Sequence, residues 1–109
     1  MSKTITFSYK GKDYTLEFDR KQVERMERSG FSIQNFDNAT ITSTYQLFNG
    51  AFQKHHRNIK SELTEEMFRK LTKRDELIKQ LAEMYVEPIA ALYDEPDEGE
   101  ETIDWDANR

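Results

Sequence analysis

Between Ile5 and Gly30 the chain alternates, turns, alternates again and then switches to helical spacing. Ile5, Phe7 and Tyr9 alternate with polar residues, and Tyr14, Leu16 and Phe18 do so again after Lys10-Gly11-Lys12-Asp13. Period-two alternation on both sides of a glycine-containing turn is the pattern of a β-hairpin with one apolar face. With Gly11 and Lys12 as the turn, Tyr9 lies opposite Tyr14, Phe7 opposite Leu16 and Ile5 opposite Phe18. That register gathers six apolar side chains on one face and lets Lys10 and Asp13 close the turn as an opposite-charge pair. Asp19 then caps a helix over residues 20 to 28, with Gln22 at the capping-box position and Ser29-Gly30 as its stop. A hairpin and a helix to cover it constrain the fold to α+β before any other residue is read.

The rest of the chain supplies more helices. Residues 31 to 42 are a connection rich in Asn, Asp and Thr, with Phe31, Ile33 and Ile41 as points that pin it to the core. A short third strand there is an open alternative. Ser43 with Gln46 forms a second capping box, opening a helix to about residue 56 that carries Tyr45, Leu47, Phe48, Ala51 and Phe52. So wide an apolar stripe predicts the central helix of the domain. After a break at residues 58 to 61, Thr64 caps a short helix with Met67, Phe68 and Leu71. Thr72 with Asp75 begins the longest pattern, with Leu77, Ile78, Leu81, Met84, Tyr85, Ile89 and Leu92 at helical spacing. Pro88 interrupts it and predicts a kink, or two helices meeting near Val86 and Glu87.

Charge divides the chain in two. Residues 1 to 93 carry 15 Lys and Arg against 13 Asp and Glu, whereas residues 94 to 109 carry eight acids against Arg109 alone. The formal charge of −5 therefore belongs to the tail. The expectation is a single domain over residues 1 to 93 and a disordered acidic tail over 94 to 109. A near-neutral body gives no general attraction to nucleic acid. With no apolar run of membrane-spanning length and no apolar leader after Met1, the chain reads as a cytoplasmic protein that does not enter a membrane. The absence of cysteine removes disulfides, thiolate catalysis and cysteine metal sites.

No group of residues has the spacing of an active site or of a metal or cofactor site, and the expectation is a non-enzymatic protein. His55 and His56, adjacent on a helix, splay about 100° apart, and Ile59 and Lys60 hold the positions four residues on where a second ligand would stand. Glu65/Glu66 and Asp75/Glu76 read as acids at helix starts, complementing the helix dipole. Gly50 inside a helix predicts close packing against the hairpin, a face where a partner's backbone approaches being the alternative. Arg69, Lys70, Lys73 and Arg74 form a basic cluster on which the acidic tail could rest. Trp105, between Asp104 and Asp106, has the form of a linear-motif anchor.

The run Thr4-Ile5-Thr6-Phe7-Ser8-Tyr9-Lys10-Gly11-Lys12-Asp13-Tyr14-Thr15-Leu16-Glu17-Phe18, the helix that follows it and Ser29-Gly30-Phe31 resemble a family of small proteins of long-tailed bacteriophages and prophages, mostly of Gram-positive hosts. Leu47-Phe48-Asn49-Gly50-Ala51-Phe52-Gln53-Lys54-His55-His56 and Leu81-Ala82-Glu83-Met84-Tyr85-Val86-Glu87-Pro88-Ile89 are similar to the same family. The likeness covers residues 3 to 93 and is to tail assembly chaperones. It implies a non-enzymatic protein that binds the tape measure protein and keeps it soluble while the tail tube polymerises. It also implies a longer frameshifted form that recruits the major tail protein, this chain being the short form. A structural tail or connector component retained in the virion is the alternative. An acidic mimic of DNA is disfavoured, because the acids crowd into the tail.

A chaperone for a helical client needs an apolar groove. The candidates are Leu47, Phe48, Phe52, Tyr85, Ile89 and Leu92, part core and part docking surface, together with Trp105.

Overall fold

A computed structural model of the chain describes residues 3–34 and 40–107. Strands β1 (Ile5–Tyr9) and β2 (Lys12–Leu16) form a two-stranded antiparallel sheet. Lys10 and Gly11 make the turn, at φ 49° and 78°. Positive φ at both central residues suits the right-handed twist of the strands it joins. The turn therefore sits one residue earlier than Gly11-Lys12, and the pairing moves by two: Phe7 faces Tyr14, Ile5 faces Leu16 and Tyr9 faces Lys12. A slip of two residues changes partners but preserves faces, because side chains alternate with period two. The apolar face survives the correction, and Phe7 stacks on Tyr14 with ring centroids 5.6 Å apart. Phe18 falls beyond the strand and is buried under the helices instead. The expected Lys10–Asp13 pair is absent: Asp13 accepts from the Ser8 hydroxyl, and Lys10 reaches Glu66.

Helix α1 (Arg20–Arg28) starts as its sequence predicts, with Asp19 Oδ1 accepting from the Gln22 amide at 2.8 Å. It stops at Gly30, whose φ of 101° an L side chain would resist. The Gln22 side chain does not close a capping box; it is buried and donates to the Gly50 carbonyl at 3.3 Å. Helix α2 (Ile41–Phe52) begins earlier than expected, because Thr40 rather than Ser43 is the cap and accepts from the Ser43 amide at 3.1 Å. It also ends at Phe52 instead of about His56, so both histidines lie in the connection beyond it.

Helix α3 (Ser61–Lys70) likewise starts before Thr64, which sits buried inside it and donates to the Ser61 carbonyl at 2.9 Å. Helix α4 (Arg74–Ala91) follows Lys73, in left-handed conformation, and not a Thr72 cap. It runs through Pro88 as one 18-residue helix, so two helices do not meet at Val86 and Glu87. Proline's fixed φ is compatible with a helix; what it lacks is the N–H that would meet the Met84 carbonyl one turn back. Residues 94–107 are exposed and form neither helix nor strand.

The architecture is α+β, with α2 at its centre as its wide stripe predicts. Leu47, Phe48, Ala51 and Phe52 are fully buried between the hairpin, α3 and α4. The core is tied by edge-to-face rings, Phe48 on Phe52 at 5.0 Å, Phe18 on Tyr85 at 5.3 Å and Phe31 on Tyr85 at 5.2 Å. Such pairs add to plain area burial. Gly50 packs closely, but against α1 and not the hairpin: a Cβ there would stand 2.5 Å from Met26 Sδ. Among the described residues the sheet has two strands. Phe31 is buried and Ile33 half-buried, pinning the connection as expected, but Ile41, the first residue of α2, is 78% exposed and does not; residues 35–39 lie outside the described residues.

Candidate partner-binding surface

Four of the sequence-predicted docking residues belong to the core. Leu47, Phe48, Phe52 and Tyr85 have no accessible surface, so no partner reaches them while the domain is folded. The remaining three stand elsewhere: Ile89 is half-buried, Leu92 is 53% exposed and Trp105 is 81% exposed. Ile89 on α4 and Leu92 at its C-cap come together, whereas Trp105 lies far along the tail in sequence.

Around Ile89 and Leu92 the end of α4 forms an apolar ridge that sequence reasoning covered only in part. Val86, Ile89 and Tyr93 recur at helical spacing, and Val86 and Tyr93 are exposed. The stripe continues two turns past Tyr85, the last fully buried residue of α4. That excess length was the legible signal, although the pattern read through Leu92 left out Val86 and Tyr93. Between α1 and α4 the ridge borders a groove of about 250 Å³, lined by Val23, Glu24, Glu27, Ile89, Leu92 and Tyr93. On its other flank Phe18, Asp19, Glu87, Pro88, Ala91 and Asp94 line a second cleft of about 460 Å³. Glu24 is held by Arg20 at 3.7 Å and Arg28 at 4.0 Å. Arg20 lines both openings, and against it Asp19, Glu27, Glu87 and Asp94 leave the rest of the rim net negative. An apolar floor with an acidic rim suits an amphipathic helix of basic character.

Beneath this ridge the Tyr85 hydroxyl is fully buried and, among the described residues, without a hydrogen-bond partner. Burial, reinforced by the Glu27 carboxylate, pushes its pKa up to about 12. It is therefore a neutral phenol at any working pH.

The opposite end of α2 carries a polar cluster. Glu17, nearly buried, accepts from Lys54 Nζ at 2.7 Å and meets His55 Nε2 at 2.9 Å. These two hydrogen bonds hold its carboxyl below the usual carboxylate range, and the bond to Glu17 holds the Lys54 ammonium above its ordinary value. The Thr15 amide donates to His56 Nε2 at 3.0 Å, which places the ring proton on Nδ1. Burial, with Lys12 and His55 nearby, keeps His56 below the ordinary imidazole pKa. Both imidazoles thus fasten β2 to the end of α2, a structural use that the helix reading of His55 and His56 did not foresee. Beside them opens a cleft of about 440 Å³ with Lys12, Arg57 and Lys60 at its rim.

Among the described residues, no group of three or more His, Asp or Glu is placed to hold a metal ion. Glu66 lies inside α3, not at its start, and accepts from the Tyr9 hydroxyl at 2.5 Å. Asp75 and Glu76 do occupy the first turn of α4. The basic cluster is partly spent on local contacts: Lys70 donates to the Tyr9 hydroxyl at 3.1 Å and Arg74 to the Arg69 carbonyl at 3.4 Å. No described helix is long and apolar enough to cross a membrane.

The family model described as "Domain of unknown function (DUF5055)" matches residues 1–109. The chain belongs to the DUF5055 family. The DUF5055 match runs over the acidic tail as well as the globular part, so the tail falls within the family's extent. Neither the curated proteins nor the solved structures contain a match.

Proposed function

We propose that the chain is a non-enzymatic tail assembly chaperone of a long-tailed bacteriophage or prophage, acting in the bacterial cytoplasm. Its client would be the tape measure protein, a long helical chain that needs cover while tube subunits assemble around it. The observation that carries this reading is the apolar ridge Val86, Ile89, Leu92 and Tyr93 beside the α1–α4 groove. Exposed apolar residues grouped along one helix mark a docking surface, whereas scattered ones do not. The resemblance of residues 3 to 93 to tail assembly chaperones supports the same client. The acidic tail would keep the complex soluble, and in a longer frameshifted form the chain would extend further to recruit the major tail protein.

Co-expression with the tape measure protein encoded downstream tests the proposal. Tape measure should be recovered soluble, and in complex, only when this chain is present. Leu92→Asp and Tyr93→Asp, both at exposed positions, should abolish recovery while leaving the fold intact by circular dichroism. Tape measure that stays insoluble with the parent chain would refute the chaperone reading. Finding the chain in purified virions by mass spectrometry would favour a structural tail or connector component.

A further inference from the structure

The cleft beside His56 and the end of the tail are two features that the proposed chaperone role leaves unused. The apolar part of the cleft's floor is made by the buried Tyr14 and the half-buried Ile59 and Leu63, with His55, His56 and Asn58 beside them. Its rim carries Lys12, Arg57 and Lys60, and among the described residues none of these has a carboxylate within ion-pair distance. Lys12 instead lies over the Tyr14 ring, 5.5 Å from its centroid. Three unpaired cations around an apolar floor are a receptor for a ligand that is anionic and carries one large apolar group.

The tail provides such a ligand. Thr102-Ile103-Asp104-Trp105-Asp106 sets an indole between two carboxylates, with Glu100 and Glu101 just before them. Ile103 and Trp105 stand exposed, clear of the body, in the extended arrangement of the structure. We propose that the Lys12–Arg57–Lys60 cleft is the docking site of this chain's own Ile103–Asp106 segment, which exchanges between the extended form and a docked one. Trp105 fills the apolar floor, and Asp104 and Asp106 meet the rim cations.

Reach does not forbid it. Asp94 lines a cleft shared with Phe18 and Asp19, so the tail leaves the body beside the end of the hairpin. From Phe18 back to Tyr14 is roughly 13 Å of extended chain, while the ten residues from Asp94 to Asp104 span up to about 33 Å. A linker of that length gives an effective concentration of order mM, which favours docking in cis over a second copy. The expected basic cluster at Arg69, Lys70, Lys73 and Arg74 is the poorer receptor, since Lys70 and Arg74 already donate locally.

Trp105 is the single tryptophan of the chain, so its fluorescence reads the docking directly. The parent at low salt should show a blue-shifted emission and about threefold less acrylamide quenching than at high salt, where screening releases the tail. Lys12→Glu with Lys60→Glu should remove that protection at low salt. Asp104→Asn with Asp106→Asn, which cannot disturb the folded body, should remove it as well. Arg69→Glu with Lys70→Glu should leave it intact, and the protection should not change with protein concentration. The proposal is overturned if Trp105 at low salt quenches like a free peptide of residues 98–109. It is equally overturned if protection survives either charge change, is lost on changing Arg69 and Lys70, or rises with protein concentration. The cleft shares no lining residue with the α1–α4 groove, and failure of either reading leaves the other standing.

Discussion

Glu17 is where the hairpin is bolted to the end of the central helix, and its replacement by Gln tests how that bolt works. The carboxylate receives two charge-assisted hydrogen bonds, from Lys54 at 2.7 Å and His55 at 2.9 Å. Its side chain is only 10% exposed, whereas those of Lys54 and His55 are 34% and 38% exposed. Bonds of this kind contribute roughly 1.5–3 kcal/mol each when well buried, but partial exposure of the donors trims them towards the value of surface pairs. Gln keeps one acceptor oxygen, so the expected loss is about 1–2 kcal/mol. In a domain of this size that lowers Tm by about 5–10 °C.

The pH dependence follows from the direction of the shift. Because the folded-state pKa of Glu17 is depressed, its contribution is present above the unfolded carboxylate pKa and is lost as pH falls through the folded value. Thermal or urea unfolding at a series of pH values should therefore show a gap between parent and variant at pH 7 that closes below about pH 4. A double-mutant cycle with Lys54→Met should give a coupling of about 1 kcal/mol at neutral pH. A variant within about 0.3 kcal/mol of the parent at pH 7, with no pH-dependent gap, would refute the reasoning.

Tyr85→Phe should stabilise the protein by about 1 kcal/mol, because it removes a buried hydroxyl with no partner among the described residues. Urea unfolding that instead shows a loss would mean the hydroxyl is satisfied. Gly50→Ala should be close to neutral in the parent, because the flexible thioether end of Met26 must move aside and the cost of that shift offsets the gain in helix propensity. In a Met26→Ala background the same change should be stabilising by about 1 kcal/mol, and an effect no different from that in the parent would rule out the Met26 contact as the cause.

Alternation and capping made the hairpin, α1 and the α+β class legible before any coordinates, since both are written in local residue order. The error at the turn was also local in origin. Glycine can occupy either central position, and choosing Gly11-Lys12 over Lys10-Gly11 cost two residues of register but no change of face. Helix starts were displaced where several hydroxyl residues compete. Thr40 won over Ser43, and Thr64 turned inward, because the helix axis is set by packing of Leu47, Phe48 and Met67 and not by the cap alone. The candidate site was the least legible part. Apolar spacing places Tyr85 and Leu92 on one helix without telling which is covered, since that depends on where α1 ends and how far the hairpin reaches. Leu47, Phe48 and Phe52 were drawn into the core because α2 has neighbours on several sides, a fact of tertiary arrangement that its own sequence does not carry.

The hairpin's two margins are unlike. On the β2 side the amides of Thr15 and Glu17 point away from β1 and are met by the His56 imidazole and the Ala51 carbonyl, at 3.0 and 2.9 Å. An imidazole and a helix end thus stand in for a third strand. On the β1 side the corresponding residues, Thr6 and Ser8, meet no backbone partner across that margin among the described residues. The β1 margin is therefore the more open of the two to a further strand, and two copies joined there would use up both of these open sides at once.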